Sequence, residues 1–253
     1  MVINYETKGR IALITLNRPE ARNAVNHEVA AGIEDAIDQF EEDNDLWTGI
    51  LCGNGPVFSA GADLKAISAG ELNLATKRGG FGGIVARERT KPLIAAVDGP
   101  ALAGGTELAL ACDLIVASTV ARFGLPEVKR SLIASAGGLV RLPRVLPKNI
   151  AMQMALTGEP ISAEQAHLFG MVNVLTKEGE ALDKAILLAE QINKNAPLAV
   201  RATRRSLIES LVLSDYDGMK FAIEETAALT STEDYKEGPL AFIEKRDPIW
   251  KGK

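Results

Sequence analysis

The sequence predicts an α/β fold followed by a helical C-terminal region. Four short apolar runs are continuous rather than alternating, which is typical of strands that are covered on both faces of a sheet. A helical pattern separates the first two runs, and helical periodicity dominates from about residue 136 onward. The predicted strands are Ile11–Leu16, Gly49–Cys52, Leu93–Val97 and Leu114–Ala117.

The spacing of apolar residues predicts the helices. Between the first two strands, apolar residues recur at intervals of three and four over residues 29–40, which indicates a helix with one buried face. In the second half of the chain only Met171–Leu175 is strand-like. A second apolar stripe covers residues 182–192, and Pro197 suits the first position of a further helix.

This change of pattern predicts two units, an α/β core over residues 1–195 and a helical region over residues 196–253. No sequence repeat or low-complexity linker separates them. The second unit carries apolar helical stripes although the core before it is already complete. We therefore expect it to dock on the core or on another subunit.

Composition and charge narrow the functional classes. The 253 residues are 47% hydrophobic and 24% charged, which is globular composition. The formal net charge is −5 and the basic residues are scattered, whereas a nucleic-acid binder normally has a basic face. No apolar run reaches the ~18 residues of a membrane helix, and the N-terminus has no apolar signal region. Cys52 and Cys112 lie in apolar runs, which predicts buried thiols in a reducing, cytoplasmic compartment.

Several catalytic motifs are absent from the sequence. The two histidines, His27 and His167, have no partner at metal-ligand spacing, so no metal site is predicted. There is no Gly-x-Ser-x-Gly nucleophile motif and no phosphate-binding loop that ends in Gly-Lys-Ser/Thr. Residues 53–58 begin like a dinucleotide fingerprint but lack its third glycine.

Two loops of small residues follow predicted strands, at residues 58–65 and 99–107. The second leads into an apolar helix at Leu108–Ala111, so free N–H groups and the positive end of the helix dipole face the region above it. Two such loops side by side can aim two N–H groups at one oxygen atom, which is an oxyanion hole. On spacing alone, two tight turns that only let the chain pack are an equally good interpretation.

Two glutamates lie close to these loops in the sequence. Glu107 is three residues after Gly104 and one turn into the helix, so it can point toward the same region. Glu127 follows Pro126, and a returning loop can bring it beside Glu107. Paired carboxyls near an anion-stabilising pocket can share general acid and general base roles. For either glutamate alone, a solvated surface position is the simpler interpretation.

Together these segments resemble the crotonase (enoyl-CoA hydratase/isomerase) superfamily, in order and over almost the whole chain. The resemblance implies a crotonase-type spiral of ββα turns with a helical C-terminal region, assembled as a homotrimer or as a hexamer made of two trimers. It also implies an acyl-CoA thioester as substrate, with no separate cofactor. The matching segments are residues 17–19, 23–24, 60–65, 104–109, 112–113, 123–127, 137–138, 156–158 and 242–246.

The resemblance assigns roles to individual positions. The oxyanion-hole amides fall on Ala62 and Gly104, and the two glutamates of true hydratases fall on Glu107 and Glu127. We assign Glu107 as the base that activates water for attack at C3, and Glu127 as the acid that protonates C2. The positions expected to contact the substrate or CoA are Arg22, Ala24, Ala60, Gly61, Asp63, Leu64, Ser135 and, from a neighbouring subunit, Phe242 and Lys245.

Two segments bear on specificity. Ala134-Ser135 stands where typical hydratases have Pro-Gly, so Ser135 is expected to bring a hydroxyl close to the catalytic water. Residues 66–90 are expected to shape the acyl pocket, and their glycines predict a mobile segment.

Hydration of a 2-enoyl-CoA, as in the β-oxidation of fatty acids, is the leading hypothesis. Residues 237–248 resemble the tail of carnitinyl-CoA dehydratases (crotonobetainyl-CoA hydratases), which is one alternative. A Δ3-Δ2 enoyl-CoA isomerase needs only the carboxylate of Glu127, and the presence of Glu107 argues against it. One relative in the superfamily also binds RNA, but the acidic charge and the absence of a basic stripe disfavour that role.

Overall fold

The chain folds around a six-stranded sheet. The computed structural model describes residues 1–70 and 74–253. The strands are β1 (Ile3–Lys8), β2 (Ile11–Leu16), β3 (Thr48–Gly53), β4 (Ala75–Thr76), β5 (Gly80–Phe81), β6 (Leu93–Val97), β7 (Ala101–Leu102), β8 (Leu114–Ser118), β9 (Arg122–Gly124), β10 (Ile161–Ser162) and β11 (Val174–Thr176). The α-helices are α1 (His27–Glu42), α2 (Leu64–Ser68), α3 (Gly104–Ala111), α4 (Gly138–Val145), α5 (Lys148–Thr157), α6 (Ala163–Leu168), α7 (Ala181–Asn193), α8 (Pro197–Ser210), α9 (Asp215–Leu229) and α10 (Glu233–Glu244). Short 3₁₀ helices span Pro19–Ala21 and Pro126–Arg130.

The central sheet has the order β1-β2-β3-β6-β8-β11. β1 and β2 form an antiparallel hairpin, and the other neighbouring pairs are parallel. Apolar residues of α1 pack on one face of the sheet, and those of α7 pack on the other. Both faces are therefore covered, which explains why the strands are continuous apolar runs. The four predicted strands are confirmed as β2, β3, β6 and β8, and the predicted α/β class is confirmed.

Apart from β11, the remaining strands are short or lie at an edge, and the apolar pattern did not predict them. β1 is an edge strand whose exposure increases along its length, and β7, β9 and β10 form a second sheet with two or three residues each. The predicted strand at Met171–Leu175 is displaced, because Met171 and Val172 pack into the core before β11 begins at Val174. Helix α3 begins at Gly104, four residues before the predicted apolar stretch.

The C-terminal helices α8 and α9 pack against each other, and Pro197 is the first residue of α8, as predicted. The predicted boundary at residues 195–196 falls in the turn between α7 and α8. The chain then folds back beyond α10, where the Asp234 carboxylate accepts hydrogen bonds from the N–H groups of Lys251 at 2.7 Å and Gly252 at 2.9 Å. Over the described ranges, no helix has the length and hydropathy that a membrane crossing requires.

The buried hydroxyl of Thr106 ties the first turn of α3 to the second sheet. Thr106 Oγ1 lies 2.7 Å from the carbonyl oxygen of Ala101 and 2.9 Å from that of Gly124. It also accepts a hydrogen bond from the Gly124 N–H at 3.0 Å. Because Gly124 ends β9 three residues before Glu127, this hydroxyl fixes the segment that carries Glu127 relative to the helix that carries Glu107.

The substitution Thr106→Val keeps the shape of this side chain and removes its hydroxyl, so the buried Gly124 N–H loses its acceptor. We expect a loss of about 1–3 kcal/mol in the free energy of unfolding, measured by urea denaturation. Thr106→Ser keeps the hydroxyl and serves as the matched control, with a smaller loss. Equal stability of the Val variant and the wild type would show that the hydroxyl contributes no net stability.

Candidate active site

The loop after β3 is held by the segment that precedes α1. The N–H of Val25 donates to the carbonyl oxygen of Gly61 at 2.8 Å, and the N–H of Asp63 donates to that of Val25 at 2.9 Å. The N–H of Ala60 donates to the carbonyl oxygen of Arg22 at 3.0 Å. This short parallel pairing fixes the backbone from residue 60 to residue 63.

The two small-residue loops meet at the start of α3. A Cβ atom on Gly61 would lie 2.6 Å from the backbone nitrogen of Gly104, so only glycine permits this approach. Ala103, which precedes the helix, has φ 52° and ψ −127°, a backbone conformation that costs about 1–3 kcal/mol. Neither the Ala62 N–H nor the Gly104 N–H donates a hydrogen bond to another described residue. The structure thus brings both predicted loops together and leaves one free donor on each.

Glu107 is buried in the first turn of α3, three residues after Gly104. Glu107 is 3% exposed, and its Oε1 atom accepts a hydrogen bond from the Gly138 N–H at 2.9 Å. Burial raises the pKa of Glu107 to about 7, and the charge of Glu127 adds to this rise. The N–H groups of Gly138 and Ala136 and the charge of Arg141 oppose it. Glu107 is therefore a carboxyl that can hold or release a proton close to neutral pH.

Glu127 lies in the 3₁₀ helix Pro126–Arg130 and is half-buried. Burial raises its pKa above the usual range. Its Oε2 atom is buried and has no hydrogen-bond partner within the described ranges. Its charge raises the pKa of Glu107, so the two predicted carboxyls are close enough to interact, and the Oε2 atom, unpartnered among the described residues, can accept a further hydrogen bond.

Arg141 supports the loop that holds Glu107, and the sequence patterns did not single it out. Its Nη2 atom donates to the carbonyl oxygen of Val85 at 2.6 Å. A Cβ atom on Gly137 would lie 2.0 Å from Nη1, so the guanidinium packs directly on this backbone. Arg141 lowers the pKa of Glu107 and so favours its charged form.

Two residues predicted to bind CoA, Asp63 and Ala24, form hydrogen bonds within the protein. The Asp63 carboxylate caps α2 by accepting from the Lys65 and Ala66 N–H groups, and it pairs with Arg18 at 3.2 Å. Although burial raises the pKa of Asp63, these hydrogen bonds hold it below its usual range. Ala24 is buried, and its carbonyl oxygen accepts from Arg18 Nη1 at 2.8 Å.

The other predicted positions are more open. Arg22 and Leu64 are exposed beside the backbone pairing that joins residues 22–25 to residues 60–63, and Ala60 is half-buried. Ser135 is exposed. Phe242 is 85% exposed on α10, and Lys245 ends that helix with a left-handed backbone.

Among the described residues, this site has neither a cluster of metal ligands nor a reactive thiol. In the part of the chain that the structure describes, no group of three or more His, Cys, Asp or Glu residues could hold a metal ion. Cys52 and Cys112 are free thiols. Burial raises the pKa of Cys112 to about 12, which keeps it protonated and unreactive at neutral pH.

The raised pKa of Glu107 predicts a pH-dependent gain in stability for Glu107→Gln. The folded protein binds more protons than the unfolded chain between the ordinary carboxyl pKa of 4.5 and about 7, so stability falls as the pH rises through this range. Gln keeps an acceptor for Gly138 and carries no charge. At pH 8 we expect the variant to be more stable by about 1–3 kcal/mol, with the difference disappearing near pH 4.5. Urea unfolding at several pH values measures this, with exposed Glu190→Gln as the control. A difference that does not change with pH would contradict the assignment.

Comparisons with known proteins agree with this geometry. The family model for enoyl-CoA hydratase/isomerase matches residues 6–253. The enoyl-CoA hydratase EchA19 of Mycobacterium tuberculosis is 40% identical over 249 residues, which cover 96% of this chain and 94% of that protein. Carnitinyl-CoA dehydratase of Salmonella enteritidis is 40% identical over 258 residues, which cover 99% and 98%. A crystal structure of an enoyl-CoA hydratase from Mycobacterium tuberculosis matches with a TM-score of 0.97 and 50% identity, covering 100% of this chain and 99% of that one. These matches confirm the predicted resemblance: the chain belongs to the enoyl-CoA hydratase/isomerase family.

Proposed function

We propose that this protein adds water across the 2,3 double bond of a 2-enoyl-CoA thioester. The observation that carries the proposal is a pair of N–H groups, on Ala62 and Gly104, that have no acceptor among the described residues, together with the buried carboxyl of Glu107 and the half-buried carboxyl of Glu127, both with raised pKa values. Carboxyls with raised pKa values next to backbone donors of this kind suit proton transfer coupled to the stabilisation of an oxyanion.

The reaction follows from where charge develops. As the water oxygen bonds to C3, the π electrons move toward the thioester oxygen, which becomes negative. The N–H groups of Ala62 and Gly104 stabilise that oxygen, and a single donor of this kind typically contributes ~3 kcal/mol to transition-state stabilisation. Glu107 in its charged form takes the proton from the water, and Glu127 in its neutral form gives a proton to C2. One proton is accepted and one is donated, so the pair works with a single proton between the two carboxyls.

CoA binding is proposed at the rim of the same loops. Arg22 and Leu64 are exposed beside the backbone pairing that carries Ala60 and Gly61. Phe242 and Lys245, also exposed, would reach the CoA of a neighbouring subunit. No cofactor is needed, because the substrate itself brings the CoA group. The free thiols and the β-oxidation chemistry support a cytoplasmic enzyme of fatty-acid metabolism.

A second candidate is the interconversion of crotonobetainyl-CoA and carnitinyl-CoA. It is favoured by the 40% identity to a carnitinyl-CoA dehydratase over nearly the whole chain. It uses the same carboxyls and donors, so a panel of acyl-CoA substrates decides between the two.

We expect Glu107→Gln and Glu127→Gln each to lower kcat/KM for hydration of crotonyl-CoA by about 10²–10⁴-fold, since each removes a proton-transfer group. Loss of absorbance in the enoyl-thioester band measures the rate. Calorimetric titration with butyryl-CoA should show nearly unchanged binding. Glu190→Gln, on the exposed side of α7, is the control.

Two other outcomes of this experiment would change the proposed mechanism. A near-normal rate in either glutamate variant would overturn the two-glutamate mechanism. If only Glu127→Gln is inactive, and the wild type moves the double bond of a 3-enoyl-CoA, the protein is an isomerase.

The exposed apolar side chains of the C-terminal helices support a homo-oligomer. Leu207, Leu211, Ile223, Phe242 and Ile243 are each at least 60% exposed. We expect a trimer or a dimer of trimers of roughly 80 or 160 kDa, three or six times the chain mass of 26.9 kDa. Sedimentation velocity at micromolar concentration measures the mass, and a stable, active monomer would contradict this expectation.

A further inference from the structure

A hairpin formed by β4 and β5 is fastened to α1. The Thr76 hydroxyl and the Gly79 N–H both donate to Glu34 Oε2, at 2.5 and 2.7 Å. Arg87 pairs with Asp38 at 2.5 Å, and Arg78 pairs with the same carboxylate. These contacts tie residues 76–87 to α1. The predicted mobility of residues 66–90 stays a prediction, and residues 71–73 of that segment lie outside the described residues.

The glycines of this hairpin let its backbone lie directly on two helices. A Cβ atom on Gly82 would lie 2.6 Å from Leu108 Cδ2 of α3, and one on Gly83 would lie 2.1 Å from the carbonyl oxygen of Ala30 of α1. Both glycines have positive φ, which residues with a side chain rarely adopt. The position of Phe81 is thus restrained by the close contacts of the two glycines that follow it.

Phe81 faces the point where the two donor loops meet. A Cβ atom on Gly104 would lie 2.5 Å from Cε1 and from Cζ of the Phe81 ring, and 3.3 Å from the Cα atom of Gly61. The ring edge, Gly61 and Gly104 therefore surround one small volume. The ring is half-buried, and the hairpin that carries it is anchored.

We propose that Phe81 determines acyl specificity by excluding a substituent at C2 of the substrate. This inference rests on the proposed function, which places the thioester oxygen on the Gly104 N–H at about 2.9 Å. C2 is only two bonds from that oxygen, so a branch at C2 lies close to the ring, whereas the far end of the acyl chain lies many bonds away. Phe81 thus limits branching at C2 and leaves chain length to other residues.

The test compares Phe81→Ala and the milder Phe81→Leu with the wild type on three substrates: crotonyl-CoA, 2-methylcrotonyl-CoA and 2-decenoyl-CoA. We expect Phe81→Ala to raise the ratio of kcat/KM for the methylated substrate to kcat/KM for crotonyl-CoA by about tenfold or more. Discrimination of this size is common for a single methyl group in an apolar pocket. The ratio of 2-decenoyl-CoA to crotonyl-CoA should change less than about twofold, because it reports on the chain end. Phe169→Ala, at another half-buried aromatic of the core, should change neither ratio.

A binding experiment separates failure of this inference from failure of the proposed function. Isobutyryl-CoA carries a branch at C2 and butyryl-CoA does not, so calorimetric titration reads the same discrimination without any reaction. Suppose that the wild type hydrates none of the substrates, yet binds butyryl-CoA more tightly than isobutyryl-CoA, and that replacing Phe81 removes this preference. The role of Phe81 is then supported and the hydratase function is overturned. If the wild type hydrates crotonyl-CoA but neither ratio changes in the variants, or both change together, the role of Phe81 is overturned. Failure to bind either saturated ester would overturn both proposals.

Discussion

The close contact between Gly61 and the backbone nitrogen of Gly104 is the constraint on which the site depends. Two loops that leave different strands can meet only because neither residue has a side chain at the point of contact. The strained backbone of Ala103 turns the chain into α3 at that point, and the first N–H of the helix has no acceptor among the described residues. Two sets of hydrogen bonds stabilise this strained backbone conformation. One is the pairing of residues 60–63 with the segment before α1, and the other is made by the Thr106 hydroxyl in the first turn of α3.

Burial of Glu107 is the second unfavourable feature that the fold sustains. A carboxyl that is 3% exposed is costly to ionise, and the raised pKa is the measure of that cost. The Gly138 N–H and the charge of Arg141 reduce the cost without abolishing it. The remaining cost of ionisation places the pKa of Glu107 near neutral pH, where both protonation states are populated. The charged form of Glu107 thus lowers the stability of the fold, and the proposed proton transfer would use the same raised pKa.

The parts that the sequence predicted are those fixed by patterns local to the chain. Continuous apolar runs gave the buried parallel strands β2, β3, β6 and β8, and Pro197 marked the start of α8. The runs of small residues pointed to the loops that carry Ala62 and Gly104. The roles of these residues could not be separated from mere tight turns until the resemblance of the whole chain was considered.

The parts that escaped prediction depend on contacts between residues far apart in the chain. β7 and β9 have two and three residues, too few for any periodicity, yet their pairing brings Glu127 beside α3. Arg141 acts on a loop through Gly137 and reaches back to Val85, and neither contact has a sequence signal.

Helix α3 connects the site to the C-terminal helices. Its N-terminus presents the Gly104 N–H, and directly beyond its C-terminus the Asp113 carboxylate pairs with Arg89 at 3.3 Å and with Arg204 of α8 at 2.9 Å. The Leu93 N–H donates to the same carboxylate at 2.8 Å, so β6 is joined to this cluster as well. Burial raises the pKa of Asp113, but the two guanidinium groups hold it below its usual range, and the carboxylate stays charged. Two largely buried guanidinium groups and a backbone N–H share this carboxylate, which fixes one arrangement of the elements that meet there. The helix that presents the Gly104 N–H is thereby held at its far end by the C-terminal region, whose exposed apolar side chains support the proposed oligomer.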